Sequence, residues 1–540
     1  MRIRQEAGTT ITRPDAPIPD LASIGECAGR PVALGGRVGQ VGGLARSPSN
    51  VNGERRSVYR ERHGRESTHG KGPCQLAHLL LALLLVLASA CARQTPGDST
   101  LIVANGTVVT MDGERRMLSP GSVAIQGGRI VAVDTPDAIV AQYPSARALD
   151  ATGRVVLPGL VNTHTHAAMV LYRGLADDLA LMDWLQRYIF PAEARTVSPD
   201  FVRAGTRLAA LEMIRSGTTT YADMYYFEED VATATKEAGL RGVLGQTIIE
   251  FPVADAVTPA DGLARAERFV AAYAGDELIT PAVAPHSTYT LNRETLVACR
   301  ALALKHNVPL LIHLAETADE EKVTRARFGQ RPVGVLDALG LWGPRIVAAH
   351  GVWVTPEEIV TLERHGVGVS HNPESNMKLA SGAAPVVEYL AAGVAVGLGT
   401  DGAASNNDLD MFEAMRQAAF LHKLTTRDPR ALSAQTALAM ATIEGARVLG
   451  LDDRVGSLEV GKRADLIVVR MDRPRQTPMY DPISHLVYVT RGDDVEATIV
   501  NGRVLMEQGR VLSLPENDVL AAARQAADAV RLAVATGGRQ

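Results

Sequence analysis

The sequence predicts an α/β protein: a (β/α)8 barrel of the TIM type, with a small β-sandwich domain formed by the N- and C-terminal segments that flank it. Three observations carry this expectation. Between about Pro158 and Leu451, short apolar runs alternate with helical stretches, the texture of repeated βα units. The flanks instead hold short alternating runs separated by Asn-Gly, Asp-Gly and Gly-Gly turns, a β-meander signal. The 540 residues, 46% hydrophobic and 21% charged, suffice for one large barrel and one smaller domain.

Residues 1–98 read as a leader, a signal or lipoprotein segment and a tether. The first 70 or so are rich in Gly, Arg and Pro without hydrophobic periodicity, so they read as disordered or as lying outside the natural product. Arg65 and Lys71 then precede "LAHLLLALLLVLASAC", Leu76 to Cys91, which has the layout of a secretory signal and is short for a membrane span. A signal stands at the start of a chain, so translation is expected to begin downstream of Met1, at a valine codon such as Val51 or Val58. "LASAC" resembles a bacterial lipobox with Cys91 as the lipidated residue, although Ala88 stands where Leu is usual, and "ASA" also suits ordinary cleavage. The expectation is an exported protein, in the bacterial periplasm or anchored to the membrane only through a lipid at Cys91, and otherwise a cytoplasmic one.

Residues 99–157 form the first part of the β domain, "STLIVANGTVVTMDG" onward. Residues 158–451 form the barrel, whose strands are expected in "LPGLVNTHTH", "GTTTYADM", "RGVLGQTII", "ITPAVAPH", "VPLLIHLAE", "RIVAAHGV", "GVGVSHNP" and "GVAVGLGTD". Helices such as "SPDFVRAGTRLAALEMIRSG" lie between them. Residues 452–512, with "ADLIVVRMD" and "VEATIVNGRVLMEQGRVL", complete the β domain, and 513–540 form an Ala-rich helix.

Composition excludes some classes of function. A net charge of −5 offers no basic face for nucleic acid, and 4% aromatics offer few stacking platforms. The four cysteines, Cys27, Cys74, Cys91 and Cys299, have the spacing of neither a zinc knuckle nor a disulfide framework. Any metal must be held by histidine and carboxylate.

The apolar runs end in such residues: His164 and His166, His286, His313, His350, His371 and Asp401. In a parallel barrel the C-terminal ends of the strands converge on one mouth. His164 and His166, two apart on a strand, point the same way and can reach one ion. Three neutral imidazoles and a carboxylate suit a borderline divalent ion such as zinc, with a position left for water. Each residue alone has an ordinary structural explanation, a core histidine or an Asp-Gly turn. His365 and His422 sit in polar helical settings and are expected at the surface, and His485 in a structural place outside the barrel.

"LPGLVNTHTHAAM", "HLAET", "SHNPESNMKLASG" and "GLGTDGAASNNDLDMFEAM" resemble the amidohydrolase superfamily. Within it they are most similar to the 5-methylthioadenosine/S-adenosylhomocysteine deaminase branch, which borders the triazine chlorohydrolases. The resemblance covers roughly residues 100 to 510. It implies one divalent ion, zinc first and iron or manganese as alternatives, held by His164, His166, His313 and Asp401. It also implies catalytic roles for Glu316, His350 and Asp401. A metal lowers the pKa of its bound water, Asp401 accepts a proton from that water, and His350 stabilises the attacking oxygen. Glu316 delivers a proton to the ring nitrogen and the departing ammonia.

By position, Trp184, Glu193, His286 and Glu316 match substrate contacts, Glu193 to ribose hydroxyls and Trp184 to the 5′ substituent. Trp184 has an alternative as helix core and Glu193 as a solvated residue. His371 and Asn376 are expected to orient Asp401 or the substrate, or simply to hold their loop. One departure stands out. The branch uses arginines for charged parts of its substrates, and "GQTIIEFPVADAVTPADG" has none; Arg241, Arg265 and Arg268 nearby have no clear register.

The expected function is hydrolytic deamination of an adenine nucleoside (methylthioadenosine, adenosine or S-adenosylhomocysteine type) or a related aminoheterocycle. The alternatives are a triazine-type chlorohydrolase or aminohydrolase, a cyclic amide hydrolase, and a binding lipoprotein that has lost activity. A small-molecule substrate, no nucleic acid and a homo-oligomer complete the expectation.

Overall fold

A computed structural model of the chain describes residues 100–537. The leader, the apolar run, Cys27, Cys74 and Cys91 lie outside the described residues, and with them the expectations on signal, lipid anchor and start site.

Eight parallel strands follow one another around a barrel: β6 (Leu160–Thr165), β7 (Thr218–Tyr225), β8 (Arg241–Ile248), β9 (Ile279–Pro285), β10 (Leu310–Leu314), β11 (Ile346–His350), β12 (Gly368–His371) and β13 (Val396–Leu398). These are the eight segments expected from the sequence. Nearly all their residues are buried on both faces, which is why they read as continuous apolar runs. Val161, Ala222, Val243, Ala282, Leu311 and Val347 pack together inside, so the barrel is a core and not a pore.

Side chains and one backbone bond close the seam between β13 and β6. Thr400 N donates to Asn162 Oδ1 (3.1 Å), Thr163 Oγ1 to Leu398 O (2.9 Å) and Asp401 N to His164 O (3.0 Å). The close approach requires the glycines of "GLGTD": a Cβ on Gly397 would lie 2.5 Å from Thr163, and one on Gly399 3.0 Å from the backbone N of His164.

The covering helices begin and end on local signals. Helix Pro199–Ser216 starts where the Ser198 side chain accepts from Phe201 N (3.2 Å), and it stops at Gly217 with φ 85°. Capping boxes at Thr258/Asp261 and Thr355/Glu358 start two others.

The flanks meet in one nine-stranded mixed sheet. The N-terminal flank supplies β1 (Leu101–Val109), β2 (Met117–Gln126), β3 (Arg129–Asp134), β4 (Arg147–Asp150) and β5 (Arg154–Pro158). The C-terminal flank supplies β14 (Leu466–Arg470), β15 (Val495–Val500), β16 (Arg503–Glu507) and β17 (Arg510–Val511). The join is the antiparallel pair β5–β14, and Val103, Val123, Val156, Leu466, Val468 and Ile499 share one core. The last helix, Glu516–Gly537, packs on Pro199–Ser216, where Arg215 pairs with Glu516 at 2.9 Å. Among the described residues no helix is long and apolar enough to cross a membrane.

Candidate active site

His164 lies on β6 and His166 just past its end; His313 lies on β10, His350 ends β11 and Asp401 follows β13. The parallel order brings these ends together at one mouth. His166 Nε2 stands 3.3 Å from His313 Nε2 and 3.3 Å from Asp401 Oδ1, and His164 Nε2 stands 3.4 Å from Asp401 Oδ1.

The tautomers follow from the ring partners. His166 Nδ1 meets the carbonyl of Met224 at 2.7 Å and His313 Nδ1 that of His286 at 2.9 Å. A carbonyl only accepts, so both Nδ1 atoms carry a hydrogen, and in the neutral ring the Nε2 atom then presents a lone pair. Their 3.3 Å approach is therefore a meeting of two acceptors. His164 Nε2 is buried without a hydrogen-bond partner. Burial lowers the His164 imidazole to about 4 and holds His313 well below the usual range, so both are neutral at pH 7. Burial opposes ionisation of Asp401, but the imidazoles of His164, His166 and His350 outweigh it and hold the carboxyl well below its usual range. Neutral imidazoles beside a carboxylate are the donor set of a divalent cation. Ligands about 2.0–2.1 Å from a tetrahedral zinc stand about 3.3–3.4 Å apart, the spacing seen here. The residues present fit the ion.

Asp401 Oδ2 accepts from Ser375 Oγ (2.7 Å) and Ser405 Oγ (2.9 Å). His350 Nδ1 donates to Asn376 Oδ1 (2.9 Å), and its Nε2 lies 3.7 Å from Glu316 Oε2. Burial disfavours the His350 cation, but the charges of Glu316 and Asp401 prevail and raise it. Burial raises Glu316 to about 7. Glu320, also raised to about 7 by burial, accepts from Glu316 N (3.0 Å) and Thr288 Oγ1 (2.8 Å). His350 (φ 73°), Asp401 (φ 61°) and Ala315 (φ 48°) all adopt the left-handed backbone region, a cost of about 1 kcal/mol or more each that accumulates at the mouth.

Above these groups opens a cavity. Trp184, Glu193, His286, Glu316 and His350 all line it. Glu193 is buried, raised to about 7 by that burial, and accepts from Tyr225 OH at 2.7 Å. Its other oxygen takes no hydrogen bond among the described residues. His286 faces the cavity, while its carbonyl holds His313.

The sequence-predicted residues do not all meet. Asn376 touches His350 and not Asp401. His371 does not line the cavity; its Nε2 lies 3.1 Å from Nε2 of His422. His422, expected at the surface, is 2% exposed. The polar neighbours of "FLHKLTT" hide its period: Met411, Met415, Ala418 and His422 share one buried helical face. Among the described residues no Lys or Arg lines the cavity. Arg241 is buried against Asp465, Arg265 pairs with Glu229 and Asp255, and Arg268 is exposed.

Sequence reasoning missed Ser375, Ser405, Tyr225 and Asp223. The first two lie inside the motifs around His371 and Asp401, and the last two inside "GTTTYADMYY". A hydroxyl or carboxyl there has no pattern of its own until the fold shows what it faces.

The amidohydrolase family profile matches residues 155–505, and that of an imidazolonepropionase-like composite domain of bacteria matches 123–146. A 5-methylthioadenosine/S-adenosylhomocysteine deaminase of Syntrophobacter fumaroxidans is 49% identical over 431 residues, 80% of this chain and 98% of that protein. A 5′-deoxyadenosine deaminase of Methanosarcina mazei is 45% identical over 430 residues, 79% of this chain and 98% of that protein. The crystal structure of an adenosine deaminase from Xanthomonas campestris with bound zinc superposes with a TM-score of 0.79 and 40% identity, over 81% of this chain and 100% of that one.

Proposed function

The chain belongs to the amidohydrolase family, and on that premise we propose that it is a zinc-dependent aminohydrolase. It replaces the exocyclic amino group of an adenine nucleoside by a carbonyl oxygen and releases ammonia. The observation that carries this reading is the 3.3–3.4 Å approach of His166 to His313 and of Asp401 to His164 and His166, beneath a cavity that Glu316 and His350 line.

A divalent ion held by those four residues supplies Lewis acidity and lowers the pKa of water toward neutrality. Asp401 is ionised, and the Ser375 and Ser405 hydroxyls fix its orientation; it takes a proton from the attacking water. His350, kept in place by Asn376 and drawn toward its protonated form by the Asp401 charge, donates from Nε2 to the incoming oxygen. Glu316, raised to about 7, keeps a proton near neutral pH and delivers it to the ring nitrogen. The departing amine takes the proton that Asp401 accepted and leaves as ammonia, while the hydroxyl proton on the tetrahedral carbon passes to Glu316 as the C=O bond forms.

The cavity also supports a substrate class. Glu193 offers a free carboxylate oxygen to sugar hydroxyls. Met169, Leu181, Trp184, Leu185, Ile189 and Phe190 offer an apolar wall to the 5′ substituent. A zwitterionic amino-acid tail meets no cationic partner there, and burying its carboxylate unpaired is costly. The favoured substrates are adenosine and its 5′-deoxy and 5′-methylthio forms. The names of the two relatives above include 5-methylthioadenosine and 5′-deoxyadenosine; the first also includes S-adenosylhomocysteine, the member that this cavity disfavours.

Ammonia release by the zinc-loaded protein, with and without Glu316→Gln, tests this reading. Uncharged nucleosides are expected to exceed S-adenosylhomocysteine at least tenfold in kcat/KM. Equal use of the charged substrate would overturn the specificity, and no ammonia from any adenine nucleoside with zinc bound would overturn the reaction.

A further inference from the structure

We propose that Asp223, backed by Glu228, is a positioning residue that sets the imidazole of His166; the inference rests on the reading of His166 as a metal ligand. The β6–β7 ladder is irregular between Asn162 and Thr165, and its last pair is Thr165 with Asp223. Beyond that pair the chain turns into the short helix Ala167–Tyr172, and the N–H of Ala167 has no strand to meet. The Asp223 side chain replaces the missing strand. Its Oδ1 accepts from Ala167 N at 2.5 Å and lies 2.9 Å from Thr165 Oγ1, whose single hydroxyl hydrogen it shares with the Ala222 carbonyl at 2.9 Å. The next residue, Met224, accepts from His166 Nδ1 through its carbonyl at 2.7 Å. Two consecutive residues of β7 thus hold His166 from both chain neighbours and from its own ring.

The clamp is fully buried: Asp223, Glu228 and Thr165 are each 0% exposed. Glu228 Oε1 accepts from Tyr225 N at 2.8 Å, which ties the clamp to the wall of the cavity. Asp223 Oδ2 and Glu228 Oε2 take no other hydrogen bond. The Glu228 carboxyl neighbours that of Asp223, and burial raises both. A carboxyl buried this deeply on the strand beside a ligand is costly unless it holds something in place. Groups that orient a metal-bound histidine typically change metal affinity 10–100-fold.

The test is zinc affinity by chelator competition, with the visible d–d spectrum of the cobalt(II)-loaded protein as the reporter of ligand geometry. Asp223→Ala is expected to weaken zinc binding 10–100-fold and to change the cobalt spectrum. Asp223→Asn keeps an oxygen toward Ala167 and Thr165 and turns an amide N–H toward Glu228. It should bind within about threefold of wild type with the parent spectrum. Wild-type affinity and spectrum in Asp223→Ala would overturn the proposal alone, whereas a wild-type protein that binds no zinc would overturn it together with the metal reading. If Asp223→Ala fails to fold, Thr165→Val decides, because it removes one bond and leaves the carboxyl. A severalfold loss of affinity supports the clamp, and unchanged affinity overturns it.

Discussion

The two ends of the barrel both bury charge, and they treat it in opposite ways. At the N-terminal end, Arg241 meets Asp465 through Nε (2.9 Å) and Nη2 (3.2 Å), and its Nη1 donates to Glu277 O (2.8 Å). Asp465 Oδ1 also accepts from Asn501 N (2.7 Å), which ties the barrel to the β domain. All three guanidinium nitrogens have a partner. At the C-terminal mouth, lone pairs face each other, His164 Nε2 has no partner, and three non-glycine residues sit at positive φ. The difference is between a polar group buried to hold the fold and one buried to hold something else. Partnerless buried hydroxyls at Thr218, Thr219 and Thr220 and a positive φ at Arg345 occur at the other end too; what sets the mouth apart is that its imidazole nitrogens and carboxylate converge on one point, where a ligand completes the set.

Substitutions at the two ends should separate these roles. The largest effect is expected from Glu316→Gln, which removes the proton carrier and leaves its shape. We expect kcat to fall about 10²–10⁴-fold with zinc content and melting temperature kept. A loss confined to KM would show that Glu316 only binds. Arg241→Ala should do the reverse. It strands Asp465 in the interior and should cost about 3–5 kcal/mol in denaturant unfolding, with kcat per folded molecule unchanged. Full stability in that variant would break the contrast.

The pH profile sharpens it further. Burial raises Glu316 above the usual carboxyl range to about 7, so its protonated form is present below that pH and lost above it. Activity measured as kcat/KM should therefore fall about tenfold per unit above pH 7. A profile flat to pH 9 would exclude Glu316 as the acid. Asn376→Ala frees the Nδ1 side of His350 and should reduce kcat about tenfold, a barrier change of about 1.4 kcal/mol. The smallest effect belongs to His422→Gln. That residue lies against His371, off the cavity, and kcat should stay within about twofold. A hundredfold loss would move the boundary of the active mouth to include the pair.

Legibility followed the physics of each signal. The strands of the barrel were readable because burial on both faces leaves a continuous apolar run. The ends of those runs named His164, His166, His313, His350 and Asp401 for the same reason, since a polar residue at such a boundary interrupts a visible pattern. His422 was misread because a polar side chain on a buried helical face looks like its exposed neighbours unless the 3.6-residue period is traced through Met411 and Met415. Asp223, Ser375 and Ser405 had no pattern at all, because what they do depends on partners distant in sequence.

Local pattern alone thus carries the alternation of elements, the identity of the polar residues at the strand ends, and the absence of arginine from the segment after β8. These depend on local periodicity and composition, which a chain carries before it folds. Distance and orientation come only with the folded chain. The 3.3–3.4 Å donor spacing, the tautomers set by the Met224 and His286 carbonyls and the placing of Arg241 at the far end of the barrel each need contacts between residues dozens to hundreds of positions apart. Only the closing of the barrel, through the glycines of β13 against β6, makes those contacts.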